Sequence, residues 1–170
     1  MPDPLHHATL PHALAAHART SPDRLLYRFL PTGDDPAATW TFADTDRRAR
    51  AVAQQLLQRS ARGRTVLIAH PAGPDFVAAF LGCLYAGAIA VPLLPPRLNA
   101  GPRRPAAERF AAIVNSAQPA LLMAPAAAAA PLAHAAGRPD LPHLTPDTPD
   151  LQPADLPLPD PTDLACIQYT

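Results

Sequence analysis

The sequence predicts an α/β fold with a largely parallel sheet flanked by helices, and three observations carry that expectation. First, Thr65 to Ala69 (TVLIA) is a near-continuous apolar run, the pattern of a strand buried on both faces. Second, Phe76, Val77, Phe80, Leu81 and Leu84 fall at helical spacing after it, and a second apolar run follows at Ile89 to Leu94. Strand, helix and strand form a β-α-β unit, which the handedness of crossover connections makes right-handed. Third, the alternation repeats: "RPAAERFAAIVNSA" (104–117) is an amphipathic helix through Phe110, Ile113 and Val114, and "PALLMA" (119–124) is the next strand.

The other elements follow in order. "ALAAHARTSPDR" predicts a short helix that stops before Ser21-Pro22. "RLLYRFL" (24–30) and "TWTF" (39–42) read as two strands joined across the turn "PTGDDPAA", a hairpin. From Phe42 to Arg59 the period becomes helical. Ala49, Val52, Ala53, Leu56 and Leu57 make the buried stripe, and Arg47, Arg48, Arg50, Gln54, Gln55 and Gln58 the wet face. Thr41 or Asp44 is positioned to cap it. Pro74 suits the first turn of the next helix, and Gly87 suits its stop. "PAAAAAPLAHAAG" (125–137) predicts a weakly specified helix broken at Pro131. Residues 138–163 hold 8 Pro and 6 Asp in 26 positions, the composition of a long surface connection and of neither a helix nor a central strand. "DLACIQYT" (163–170) then returns the chain to an apolar strand. The expected organisation is an α/β core over 10–124, an Ala/Pro-rich connection over 125–162 and a returning strand over 163–170.

Composition narrows the function class. With 170 residues the chain suffices for one domain with a real core. Its formal net charge is zero, which gives no electrostatic footprint for nucleic acid or an anionic membrane. The N-terminus lacks the basic start and continuous apolar run of a secretory signal. Cys83 and Cys166 lie far apart in apolar surroundings and read as two buried thiols of a cytoplasmic protein rather than a disulfide. Phe76 to Pro96 carries no charge and is long enough for a membrane span, but Gly82, Gly87 and Pro92 interrupt it. A buried helix followed by a buried strand accounts for it without lipid.

Chemistry-bearing patterns are sparse. His6, His7, His12 and His17 cluster without a Cys or carboxylate at metal-ligand spacing, so a solvated face is the reading. His70 ends a strand beside "PAGPD", on the edge where α/β sheets bind ligands, and is a candidate ligand contact. That turn lacks the glycine spacing, Lys and hydroxyl of a phosphate loop. Ser21, Ser60 and Ser116 have no nucleophile elbow around them. Asp44 and Asp46 lie at a helix start, where capping accounts for both. No catalytic residue and no metal ligand is predicted.

Three stretches nevertheless resemble one family. "TWTFADTDRRARAVAQQLLQ" is similar to the opening motif of adenylate-forming enzymes, and "AFLGCLYAGAIAVPLLPPR" to their second. "GPDFVAAFLGCLYAGAIAVPLLPPR", with Tyr85 before Ala86-Gly87 and Pro-Pro-Arg after the strand, resembles the fatty acyl-AMP ligases in particular. "RFAAIVNSAQPALLMA" is similar to the following helix-strand pair. The resemblance covers most of 10–124 plus 163–170.

It implies the N-terminal part of an AMP-binding domain. In the family a phosphate-binding loop follows a strand like "LQYT", so Thr170 would be its first residue and a cofactor-binding position. The family's chemistry uses ATP and Mg²⁺, with a fatty acid and an acyl carrier protein as partners. The parts that hold them would lie beyond Thr170, including a catalytic Lys, and this chain has no Lys. The expectation is a piece inactive by itself that binds no cofactor tightly. The alternatives are a non-catalytic binding module reusing the fold, or part of an acyl-CoA synthetase or a peptide-synthetase adenylation domain.

Overall fold

The computed structural model describes residues 8–30, 38–96, 104–146 and 156–169. Helix α1 (Leu10–Thr20) leads into an antiparallel hairpin of β1 (Leu25–Phe29) and β2 (Ala38–Thr41), and α2 (Phe42–Gln58) follows without a break. The hairpin's connecting residues 31–37 lie outside the described residues. The chain continues as β3 (Thr65–Ile68), α3 (Pro74–Ala86), β4 (Ile89–Pro92), α4 (Arg104–Ala117), β5 (Leu121–Met123), α5 (Ala126–Ala135) and β6 (His143–Leu144). The four later strands form one parallel sheet in the order β4-β3-β5-β6. Beyond β4 the chain returns: the Ala90 N–H donates to the Ala165 carbonyl at 3.0 Å, and the Ile167 N–H to the Ala90 carbonyl at 2.9 Å.

Each sheet face is covered by its own helices. Val66, Ile68, Ala90, Leu121 and Met123 point into a core shared with α2 and α3, to which Leu14 of α1 and Trp40 of β2 also belong. Leu67, Val91 and Leu122 point the other way, against Phe110 and Val114 of α4 and Leu132 of α5. This is the parallel sheet with helices on both faces that the apolar runs predict.

Local chemistry sets the helix ends. At α2, Thr41 Oγ1 accepts the Asp44 N–H and the Asp44 carboxylate accepts the Thr41 N–H, both at 3.1 Å, so the two capping positions act together. Partial burial would raise the Asp44 pKa, but these bonds and the Arg47 guanidinium hold it below the usual value. Helix α3 stops at Gly87, whose φ of 64° is left-handed and lets its N–H reach the Cys83 and Leu84 carbonyls. The uncharged run 76–96 is therefore α3, a turn and β4. Among the described residues no helix is long and apolar enough to cross a membrane.

Helices α2 and α3 pack tightly at Gly82. A Cβ there would lie 2.6 Å from Val52 Cβ and closer still to Val52 Cγ1. One turn further along α3, the Tyr85 hydroxyl donates to Asp46 Oδ1 at 2.6 Å. Arg50 Nε donates to Asp46 Oδ2 at 2.7 Å, and its guanidinium lies 5.4 Å from the Tyr85 ring centroid. The carboxylate thus takes one donor from each helix, and the Tyr85 oxygen also lies 3.3 Å from the Pro11 carbonyl at the start of α1.

Four expectations need correction. Helix α5 is continuous through Pro131, which lies in its interior: the ring removes one backbone hydrogen bond, and burial of Leu132 and Ala133 offsets the loss. Asp46 is not a cap but the half-buried partner of Tyr85 and Arg50. Cys166 is exposed, because no described helix covers that part of the sheet edge, while Cys83 is buried; both are free thiols. The proline-rich stretch is not entirely surface connection. Leu141 and Leu144 are buried, and His143–Leu144 pairs with β5 as an edge strand.

Gly82→Ala is expected to lower stability by a net ~1–2 kcal/mol, the overpacking against Val52 outweighing the helix propensity that Ala gains. Tyr85→Phe removes a bond to a shielded carboxylate and is expected to cost about 1.5–3 kcal/mol. Urea unfolding followed by Trp40 fluorescence measures both.

Candidate functional site

The carboxyl ends of the parallel strands lie along one edge of the sheet. From β3 the chain crosses to β4 on one side, and from β5 it crosses to β6 on the other. Helix α3 accordingly leaves β3 over one face, and α5 leaves β5 over the opposite face. The two connections diverge between β3 and β5, the switch point where α/β sheets form ligand crevices.

His70 occupies the end of β3 at that position. It is only 3% exposed, and its Nε2 has no hydrogen-bond partner. Burial lowers its pKa below the usual histidine value, and the nearby Asp75 carboxylate in the first turn of α3 partly offsets this. At neutral pH the ring is uncharged, with a buried nitrogen open to a donor or an acceptor according to its tautomer. Helices α3 and α5 both begin here without a side-chain cap, at Gly73 and Pro125. The switch point thus combines an unsatisfied imidazole with free main-chain N–H groups.

Two strands away, the returning segment is anchored by Tyr169, whose ring packs against the second core and whose hydroxyl bonds Ser116 Oγ of α4 at 3.0 Å. Thr170 lies outside the described residues. His70 is where the sequence places it, but nothing in the described residues brings it together with the other histidines. His12 Nδ1 is 2.6 Å from Thr9 Oγ1 at the start of α1, and the His17 ring of α1 stands 5.0 Å from the Phe42 ring of α2. His6 and His7 lie outside the described residues. Among the described residues no three His, Cys, Asp or Glu side chains gather to hold a metal ion.

A cleft of about 230 Å³ lies at the opposite, amino end of the strands, between the start of α1, the end of α3 and residues 159–165. Leu10, Leu84 and Leu164 line it, with Asp160 and Asp163 beside them. Both carboxylates already serve their own turn, Asp163 accepting the Asp160 N–H and Asp160 accepting from Thr162.

Sequence reasoning missed the Tyr85–Asp46–Arg50 network. Its signal was present as a polar ring in an otherwise apolar helix, and as Asp46 and Arg50 at a spacing of four.

The parallel sheet, its two helical layers and the returning segment beside β4 define a layered α/β domain. The model of the AMP-binding enzyme family matches residues 14–170, and the chain belongs to that family. FadD21 of Mycobacterium tuberculosis, named as a fatty-acid–CoA ligase, is 30% identical over 171 residues, covering 92% of this chain. JamA of Moorena producens, named as a medium-chain-fatty-acid–[acyl-carrier-protein] ligase, is 38% identical over 73 residues, 43% of this chain. The fatty acyl-adenylate ligase of L. pneumophila, solved with acyl adenylate and pyrophosphate, superposes over all of this chain with a TM-score of 0.75 and 26% identity. The chain covers 28% of the length of FadD21, 12% of JamA and 29% of the L. pneumophila structure.

The buried imidazole predicts a pH dependence of stability. A histidine whose folded pKa is depressed binds its proton more readily in the unfolded chain, so stability falls as pH drops below about 6.5 and the loss is complete below the folded pKa. His70→Leu is expected to remove that part of the acid sensitivity. Urea midpoints compared between about pH 7.5 and pH 5 should fall less in the variant than in the unsubstituted chain.

Proposed function

We propose that the chain forms the N-terminal portion of a ligase that activates fatty acids with ATP and passes the acyl group to a carrier-protein phosphopantetheine thiol. The observation that carries this reading is the family match over 14–170 together with relatives named as fatty-acid ligases. In such a reaction the fatty carboxylate oxygen attacks the α-phosphorus of ATP, pyrophosphate leaves, and the acyl-adenylate is then cleaved by the thiol with release of AMP. Negative charge gathers on the transferring phosphorus, so a loop of donors and cationic side chains is needed around it.

The described residues of this chain do not supply that constellation, and no Mg²⁺ ligand set gathers among them. Their part in the reading is a scaffold. The sheet and α4 fix the end of the returning strand through Ala90 and Ser116, and Thr170, the proposed first residue of the phosphate loop, follows directly. A second reading, transfer to coenzyme A instead of a carrier protein, is favoured by the name of FadD21.

Fatty-acid-dependent ATP–pyrophosphate exchange tests the proposal. Residues 1–170 alone are expected to give none, and a clear signal would overturn the assignment of the phosphate loop to residues beyond Thr170. A chimera carrying this chain in place of the aligned stretch of FadD21 is expected to exchange with fatty acids. Exchange driven by amino acids instead would sink the fatty-acid reading. Product analysis with a phosphopantetheinylated carrier protein or coenzyme A separates the two acceptors.

A further inference from the structure

The returning segment is held in two ways. Its main-chain bonds to the sheet both fall on Ala90, whose N–H donates to the Ala165 carbonyl and whose carbonyl accepts the Ile167 N–H. Past Ile167 no main-chain bond joins the segment to β4 among the described residues, so its last part is held through side chains. Ile167 and Tyr169, on one face of the extended chain, both pack against the second core. The Tyr169 hydroxyl then donates to Ser116 Oγ at 3.0 Å, a contact across 53 residues of sequence. Ser116 stands in the last turn of α4, and that end of the helix is tied to β3. Thr65 Oγ1 donates to the Ala117 carbonyl at 2.9 Å, and the Ala120 N–H donates to the Thr65 carbonyl at 2.9 Å. Ser116 is exposed and Tyr169 half-buried, so water competes for both hydroxyls and their bond adds little to global stability. A phenylalanine would fill the same place against the core. What the hydroxyl adds is direction.

We propose, resting on the reading of Thr170 as the first residue of a phosphate loop, that Tyr169 and Ser116 are a positioning pair for ATP. Their bond sets the direction in which the chain leaves the sheet, and so where the phosphate donors that follow Thr170 stand. Tyr169 is the residue directly before Thr170, and Ser116 belongs to a helix end that β3 already fixes. Without the bond, the root of the loop pivots about Ile167, the last residue paired to β4. Hydrogen bonds to phosphate oxygens weaken steeply when donors are misdirected, and donors fixed in advance need no rearrangement when ATP arrives. The loop grips phosphates, so the loss falls on ATP rather than on the fatty acid. The pair acts through the loop and touches no reacting atom.

Pyrophosphate exchange by the FadD21 chimera tests the pair. Tyr169→Phe and Ser116→Ala are each expected to raise the KM for ATP about three- to tenfold, the worth of one neutral hydrogen bond, and to leave the KM for the fatty acid within about twofold. The double variant should be no worse than either single one, because both remove the same bond. Ser116→Thr keeps a hydroxyl and is expected to retain most of the ATP affinity. Far-ultraviolet circular dichroism and Trp40 fluorescence establish that each variant is folded. In folded variants, unchanged KM values overturn the proposal. So do a rise shared equally by ATP and the fatty acid, and single effects that simply add in the double variant. Hydrogen exchange of the stretch 164–169 is measured in the same chimeras, where the Ile167 amide is expected to exchange about three to ten times faster in either single variant. An unsubstituted chimera that gives no pyrophosphate exchange defeats the ligase reading instead. The Tyr169–Ser116 anchor then stands if that amide exchanges faster in the variants, and falls if its rate is unchanged.

Discussion

The contact of Gly82 of α3 with Val52 of α2, which leaves no room for a Cβ, is the constraint on which the remaining packing depends. Because one residue has no Cβ, the two helices lie close enough for Tyr85 to reach Asp46. That bond and the Arg50 pair hold a half-buried carboxylate at the helix junction. The arrangement is tolerable only because both oxygens of the carboxylate are satisfied, one from each helix. Burial and the adjacent carboxylate both push the Tyr85 hydroxyl strongly upward, so it remains a proton donor at any physiological pH. The junction also sets where α1 sits, through Pro11, and so where the first layer of the fold ends.

With α2 and α3 placed, the sheet follows. Helix α3 joins β3 to β4 as a parallel crossover, and Gly87 turns the chain sharply enough for β4 to start two residues later. The opposite face is built by α4 and α5 on residues of alternate parity along the same strands. This two-sided burial makes β3 apolar from Val66 to Ile68 and places His70, two residues beyond its end, out of reach of water. A polar group so placed without a partner is unusual in a folded chain and marks the switch point as chemically distinct from the rest of the edge.

Much of this was legible in the sequence because local and global signals agree. Helix α4 spans 104–117, the same residues as its amphipathic pattern, and Thr41 with Asp44 makes the cap that their spacing suggests. What could not be read were contacts between distant positions. Periodicity assigns Tyr85 to a buried helix face but does not tell it to meet Asp46, 39 residues earlier. Proline content argued for a surface connection over 138–163, yet Leu141 and Leu144 bury their side chains and His143–Leu144 suffices for an edge strand. Pro131 likewise shows packing overriding propensity. At the candidate site, His70 was visible from its place at a strand end, whereas its burial depends on helices that only the fold brings over it.

The pairing of Ala90 with Ala165 and Ile167 also sets a timetable for synthesis. Strand β4 is complete roughly seventy residues before Cys166 has been made. At about 5–20 residues per second, its outer edge would wait several seconds for the segment that covers it. During that interval β3, α2 and α3 can already assemble, since all precede β4 in the chain, and the sheet grows from its middle outward. The strand that covers β4 is thus a late arrival. Its approach through a proline-rich stretch, which resists forming competing helices or strands, favours delivery over entrapment along the way.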